Sequence, residues 1–375
     1  MIIDSCDVLV VGGGPAGSSL AGKLVQGGLD VVILDKSVFP RAKVCAGWVT
    51  PAVLDLLRID RGAYSRERVL QEFTGFRTSM LGRPDVLTRY GAPVSYGIRR
   101  SEFDHYLLGR SRARLRLGEP LRSMERKNGS WLVNGSLRAS LVIGAGGHFC
   151  PIARLLRGGS ERLGPVVVAQ EVEFKLDGTQ QKECPVNADT PELFFCDDLT
   201  GYGWCVRKGD HLNVGLGRED SRDLPAQMQA FFDLLKQQGK VPAAAGGGFK
   251  GHAYALYRGA PRDIVDDGVL LVGDAVGLAH PQSGEGIRPA IESAFLAAEV
   301  ILSAGRDFRR ERLASYQQEL SARFGSGAAA PAILPGPIRR FAARALMESS
   351  WFTRRVLLDR WFLSRRLPPL AVRRG

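Results

Sequence analysis

Three glycines in the pattern Gly12-x-Gly14-x-x-Gly17 follow an apolar run, CDVLVV, and precede a stretch of helical periodicity, SLAGKLVQ. Such a turn can cradle a pyrophosphate. Gly12 permits the tight turn, Gly14 lets the backbone approach the phosphates, and Gly17 lets the helix pack close to the strand. Pro15 and Ala16 complete the turn, where the helix N-terminus favours negative charge. Asp35 ends a second apolar run, LDVVILD, with Lys36 directly after it. A carboxylate at that distance can accept hydrogen bonds from a ribose. The predicted chemistry is dinucleotide binding, and this fingerprint alone does not separate a nicotinamide from a flavin dinucleotide.

A second group of reactive residues lies in the loop RAKVCAGWVTP, residues 41–51. Arg41 and Lys43 are expected to touch phosphate or ribose oxygens, and Ala46 and Gly47 to pass beside the cofactor. Three readings of Cys45 stay open. It gates or protonates at the cofactor, it packs as a small apolar residue, or the two cations lower its pKa and make it redox-sensitive. Trp48 is expected to line a substrate cavity. Farther on, Tyr202 and Trp204 stand two apart in a strand-like run and so face one side. They too are expected to line that cavity, with ordinary aromatic core as the alternative. The six cysteines form no CxxC pair, and the histidines show no ligand spacing, so neither a metal site nor a disulfide is expected.

The elements that must position these residues alternate in type. Residues 6–35 read as strand, turn, helix, strand, and 98–112 as a helix with Phe103, Tyr106, Leu107 and Arg110 at helical spacing. Strand-like segments follow, among them VVVAQEVEFKL, ELFFC, GYGWCVRK and HLNVGLG, then the amphipathic helix QMQAFFDLLKQQGK. A buried strand, DGVLLVGDA, leads into a long helix, GIRPAIESAFLAAEVIL. This order predicts a mixed α/β chain, a Rossmann-type nucleotide-binding domain interleaved with an antiparallel-sheet substrate domain. The first would take 1–50, 98–160 and 264–310, the second 51–97 and 161–263, with a basic helical region over 311–375. A length of 375 residues suits that division.

Residues 268–294, GVLLVGDAVGLAHPQSGEGIRPAIESA, resemble the ribityl-binding segment of FAD enzymes of the p-hydroxybenzoate hydroxylase superfamily. The resemblance implies FAD as cofactor, with Asp274 after Gly273 on a ribitol hydroxyl. It also implies that the stretch Pro281, Gly284, Gly286 and Ile287 brings backbone amides to the flavin ring, where a helix N-terminus stabilises negative charge. YGIRRSEFDHYLL resembles the superfamily's Arg-x-x-Phe-Asp-x-x-Leu helix and puts Arg100 near the phosphates. VIGAGGHFCPIAR departs from the pattern, with Gly146 where an Asp is expected and Cys150 where Ser is common, while Arg154 fits. No second glycine fingerprint follows, so NAD(P)H or another low-potential reductant would dock transiently.

Within that superfamily, Lys43-x-Cys45-x-Gly47 resembles the cysteine loop of the geranylgeranyl reductase family. Pro191, Tyr202, Gly203 and Trp204 resemble its Pro…Tyr-x-Trp-x-Phe-Pro signature, although Val206 and Arg207 replace the final Phe-Pro. The resemblance implies reduction of isoprenoid double bonds in a prenylated lipid, quinone or pigment precursor. The rival reading is an NAD(P)H-dependent flavin monooxygenase acting on an aromatic or lipophilic substrate. The halogenase signature Gly-Trp-x-Trp-x-Ile-Pro is absent.

The formal charge of +12 is unevenly spread. Between Pro337 and Gly375, ten arginines stand against Glu348 and Asp359, interleaved with Phe341, Leu346, Trp351, Phe352, Leu357, Leu358, Trp361, Phe362 and Leu363. Basic and aromatic residues on one amphipathic helix suit a membrane interface, the alternative being a helical cap on the substrate domain. No recognition module accompanies the charge, so nucleic acid is not an expected partner. No signal peptide and no run of about 18 apolar residues is read in the chain. The expected location is cytoplasmic, peripheral at the inner membrane face, and the oligomeric state is not legible.

Overall fold

A computed structural model describes residues 3–158, 165–259, 263–325 and 336–370, without the side chains of 336–341. Its first sheet runs in the order Val265–Asp266, Val269–Leu271, Leu137–Gly144, Asp4–Val11, Val31–Asp35, Arg114–Leu117. The four pairings from Val269–Leu271 to Arg114–Leu117 are parallel. Strands of a parallel sheet are covered on both faces, which is why LVV and VVIL read as unbroken apolar runs. All five residues of Val31–Asp35 are buried. Helix Pro15–Gln26 packs between this sheet and the long helix Ile287–Ser303, with Leu20, Ala21, Leu24, Ala294, Ala297 and Ile301 in one core.

The second sheet has seven strands in the order Lys250–Ala255, Val166–Lys175, His211–Arg218, Gly201–Lys208, Glu192–Phe195, Gly75–Met80, Val86–Arg89. Every neighbour is antiparallel except Glu192–Phe195 with Gly75–Met80. Alternating burial follows from the strand period, and the two faces have different covers. One face takes the helix Leu224–Gln237, whose Met228, Phe231, Phe232 and Leu235 meet Cys205, Leu212, Val214 and Leu216. The other face presents Phe76, Leu193, Trp204 and Val206. A three-stranded sheet, Trp48–Val49, Ser95–Ile98, Leu70–Phe73, lies beside it.

The C-terminal region corrects one expectation. It is broken into Gly336–Met347, Ser350–Phe352 and a π-helical stretch, Thr353–Phe362, rather than one amphipathic helix. Met347, Leu357, Leu358, Phe362 and Leu363 are buried against Phe73, Phe76 and Trp204. Most of the apolar residues assigned to a membrane face therefore cover the second sheet instead. Trp351, 68% exposed, and Leu346 remain outside. The sequence also places helix breaks at Pro331 and Pro335, and these, with the side chain of Phe341, lie outside the described residues.

Candidate functional site

A cavity of about 590 Å³ lies between the two sheets, under the C-terminal cap. One end is the glycine turn. Gly12 adopts φ +116°, and a Cβ there would stand 2.4 Å from the Ala145 carbonyl oxygen. A Cβ on Gly17 would stand 1.9 Å from the Gly12 carbonyl oxygen, so the helix could not seat on the turn. The Asp35 carboxylate accepts from the backbone N–H groups of Gly13 (2.7 Å) and Ser37 (2.8 Å), which holds the turn to the end of the second strand. Gly12, Gly14, Pro15, Ala16, Asp35 and Lys36 all face the cavity, as does Gly146, in the turn after the neighbouring strand Leu137–Gly144.

Cations gather at this end. Arg41, Lys43 and Arg100 line the cavity. Arg100 makes a two-pronged ion pair with the fully buried Asp104 (2.8 and 2.9 Å), and Arg41 reaches the same carboxylate at 3.4 Å. Asp104 thus fixes two guanidinium groups over the glycine turn. Lys43 Nζ donates to His252 Nε2 at 2.6 Å. Burial, with Arg100 nearby, pulls the Lys43 ammonium down to about 8, and burial with Lys43 nearby pulls His252 down to about 3. Burial raises the Asp274 carboxyl, opposed by Lys43 and Arg100. The positive excess, the amide-rich turn and the crowded Gly12 suit a pyrophosphate, and a lining carboxylate at Asp274 suits a polyol chain. These residues fit FAD.

The other end is aromatic. Tyr202 and Trp204 share one face of Gly201–Lys208, ring centroids 6.2 Å apart. Phe362, from the C-terminal cap, packs edge-on to Tyr202 at 5.4 Å and stacks on Trp48 at 5.5 Å, with planes 17° apart. Tyr202 Oη donates to the Ser283 carbonyl at 2.5 Å, which ties this wall to the loop before Ile287–Ser303. Gly284, Gly286 and Ile287 line the cavity from that loop, between its two ends. Of the residues picked from the sequence, Gly17, Gly47, Gly273 and Pro281 do not line it.

Cys45 and Ala46 lie on the cavity wall, backed by a buried polar cluster that composition and spacing did not reveal. Lys208 is 0% exposed and pairs with Glu173 at 2.6 Å while donating to the Ala46 carbonyl at 3.1 Å. Asn213 accepts from the Trp204 indole N–H at 2.6 Å and donates to Glu171 and Glu173 at 3.3 Å. The Cys45 backbone amide and Asn213 hydrogen-bond Glu171, whose carboxyl burial pushes up to about 7. Gly47, at φ +65°, lets the chain turn against the Ile98 carbonyl, where a Cβ would come within 2.1 Å. Other residues that the sequence reading missed are Asp104, His252, Tyr254, Glu285 and Phe362. Only Asp104 had a signal, its place in the helix motif beginning at Arg100.

The family model described as FAD binding domain matches residues 5–97. A digeranylgeranylglycerophospholipid reductase of Methanothrix thermoacetophila is 30% identical over 326 residues, 80% of this chain and 78% of that one. A menaquinone reductase of Mycobacterium tuberculosis is 29% identical over 353 residues, covering 86% of this chain and 82% of that one. A geranylgeranyl bacteriochlorophyll reductase-like protein from Thermoplasma acidophilum superposes with a TM-score of 0.73 at 22% identity, over 92% of this chain and 88% of that one. A halogenase solved with FAD superposes at 0.68 with 17% identity, over 85% and 74%. At such identities the solved structures carry the fold alone.

Proposed function

The chain belongs to the geranylgeranyl reductase family of FAD-dependent oxidoreductases, and on that premise we propose that it saturates isoprenoid C=C bonds of a prenylated lipid, quinone or pigment precursor. The observation that carries this reading is the aromatic end of the cavity, continuous with the cofactor end. Trp48, Tyr202, Trp204 and Phe362 form a chamber without a fixed polar pattern, suited to a hydrocarbon chain. An isolated prenyl double bond is electron-rich, so its reduction needs an acid as well as a hydride. Bound reduced FAD would supply the hydride, drawing on NAD(P)H or another low-potential reductant.

The chain's own residues divide the remaining work. Arg41, Lys43 and Arg100 hold the phosphates, Asp35 the ribose end and Asp274 the ribityl chain. The aromatic wall excludes water and tolerates cationic character on the substrate through its ring faces. The cluster around Asn213 holds Cys45 and Trp204 in one register. Segments 1–50, 98–160 and 264–310 form the cofactor-binding domain in this reading, and 51–97 with 161–263 form the substrate domain. Because the substrate is a lipid, the exposed Trp351 and the arginines around it dock the enzyme on an anionic membrane surface.

The test is product mass. Purified protein with reductant and a panel of prenylated lipids and quinones should yield products heavier by pairs of hydrogen atoms without oxygen. A product heavier by one oxygen atom, formed only in air, would replace this reading with the monooxygenase.

A further inference from the structure

Glu285 lies in the loop between the aromatic wall and the cofactor end, and it lines the cavity. Its backbone is committed. The N–H donates to Ser283 Oγ at 3.3 Å, and the carbonyl accepts from the His280 N–H at 2.9 Å. Both carboxyl oxygens are shielded from solvent and have no hydrogen-bond partner among the described residues. A buried carboxylate without a partner is costly, and the neutral acid is the cheaper state. The other acids of the cavity differ. Asp35 holds Gly13 and Ser37, Glu119 accepts from Asn134, and Asp274 faces Lys43 and Arg100. Tyr202 has its hydroxyl proton on Ser283.

We propose that Glu285 is the proton donor for double-bond reduction, an assignment that rests on the reductase reading above. The π pair of the alkene takes the Glu285 proton at its less substituted carbon, forming one C–H bond and breaking the carboxyl O–H. The more substituted carbon, cationic at that moment, faces Tyr202 and Trp204 and would take the hydride that bound reduced FAD supplies. On that balance the alkene would gain two electrons and the flavin would lose two, while the Glu285 carboxylate recovers a proton from water. The groups facing Glu285 set its state. Arg288, in the next helical turn, is bound to Glu292 at 2.8 Å, and Arg323 from helix Ser315–Phe324 is bound to the same carboxylate at 2.6 Å, so both cations are already paired. Tyr202 faces it from the second sheet, and Tyr254 Oη closes over Gly284. Burial accordingly raises the Glu285 carboxyl to about 7, with Arg288 opposing and Glu292 reinforcing.

The experiment compares the full-length holoenzyme with Glu285→Gln and Glu285→Asp. Glu285→Gln should keep its flavin content and its reduction by dithionite, while formation of saturated product falls by about 10²–10⁴-fold. Glu285→Asp should recover part of the loss. Independently of turnover, infrared difference spectra across neutral pH should show carbonyl stretches of protonated carboxylic acids, Glu171 and Glu285 among them, and Glu285→Gln should remove one of these signals. Wild-type turnover in Glu285→Gln, or an infrared spectrum that the substitution leaves unchanged, would overturn the assignment. A wild type that saturates no prenyl substrate, with the infrared signal present, would sink the reductase reading instead.

Discussion

Asp274 and Cys45 both touch the cavity, yet substitution should separate them. Asp274 sits in the Gly273-Asp274 turn, which Ser293 holds by accepting from the Gly273 N–H at its Oγ, 3.0 Å. Its carboxylate is held among Lys43 and Arg100, and it is the acceptor proposed for the ribityl chain. Asp274→Ala should therefore yield protein that folds but purifies with little flavin, read as the flavin-to-protein ratio. Full occupancy would remove Asp274 from the cofactor. Cys45 is fixed through its backbone by Glu171 and Asn213, and its Sγ accepts a long contact, 3.4 Å, from the Gly47 N–H and a hydrogen bond from the Arg100 guanidinium. Cys45→Ser should retain FAD and slow substrate reduction, but by less than Glu285→Gln does. An equal or larger loss would move the proton to the thiol, and no loss would leave Cys45 as packing. The pH profile points the same way. An acid with a pKa of about 7 is available below that pH, so substrate reduction should fall as pH rises above 7, and Glu285→Asp should shift that limb.

Strands and loops carry the next constraint. Trp204 lies flat across Gly215 on the neighbouring strand, where a Cβ would stand 2.2 Å from its ring. Gly215→Ala should push Trp204 out of register, costing about 1–3 kcal/mol of stability and weakening its bond to Asn213. Tryptophan fluorescence and thermal melting would read the two effects, and unchanged values of both would refute the coupling. Glu171 adds a pH term. Its carboxyl is raised above the unfolded value, so the folded state binds the extra proton. The stability it confers is complete below its unfolded pKa of about 4.5 and is lost as pH rises to about 7. Glu171→Gln should flatten that decline by about 1–3 kcal/mol across the window, and only in part, since Glu285 titrates with the same sign. This cluster also shows where the sequence stops being informative. The parallel sheet was legible because its central strands are buried on both faces, so LVV and VVIL carry the signal locally. Gly75–Met80 and Val86–Arg89 were not, since FRTSM and VLTR carry polar residues that only pairing across the sheet accommodates. Glu171, Glu173, Lys208 and Asn213 are ordinary strand residues until three strands align and bury them behind residue 45. Tyr202 and Trp204 were readable because their spacing alone puts them on one face. Phe362 was not, because 158 residues separate it from Trp204.

At the scale of the whole molecule, the C-terminal region closes the cavity and, in the proposed function, also docks on the membrane surface. Its inward side, with Leu357, Leu358 and Phe362, closes the aromatic chamber. Deleting 337–375 would strip that cover, so loss of membrane binding after deletion would say nothing about lipid. Point variants separate the two roles. Trp351, Arg355 and Arg360 are exposed, and they recur four and five positions apart, the spacing of the wider turn of Thr353–Phe362. Among the described residues no helix is long and apolar enough to cross a membrane, so contact with a bilayer through this region would be interfacial. Each basic residue at an anionic surface contributes about 1 kcal/mol, so Arg355→Gln with Arg360→Gln should weaken partitioning by about 30-fold. The loss should appear on vesicles containing anionic lipid and be absent on neutral ones, and high salt should erase it for the wild type. Trp351→Ser should weaken binding to both kinds of vesicle, since its ring contributes buried area rather than charge. Turnover on a short, water-soluble prenyl alcohol should stay at the wild-type level in both variants, because none of the three residues lines the chamber. Equal vesicle binding by variant and wild type would reduce this region to a lid, with its arginines merely solvated.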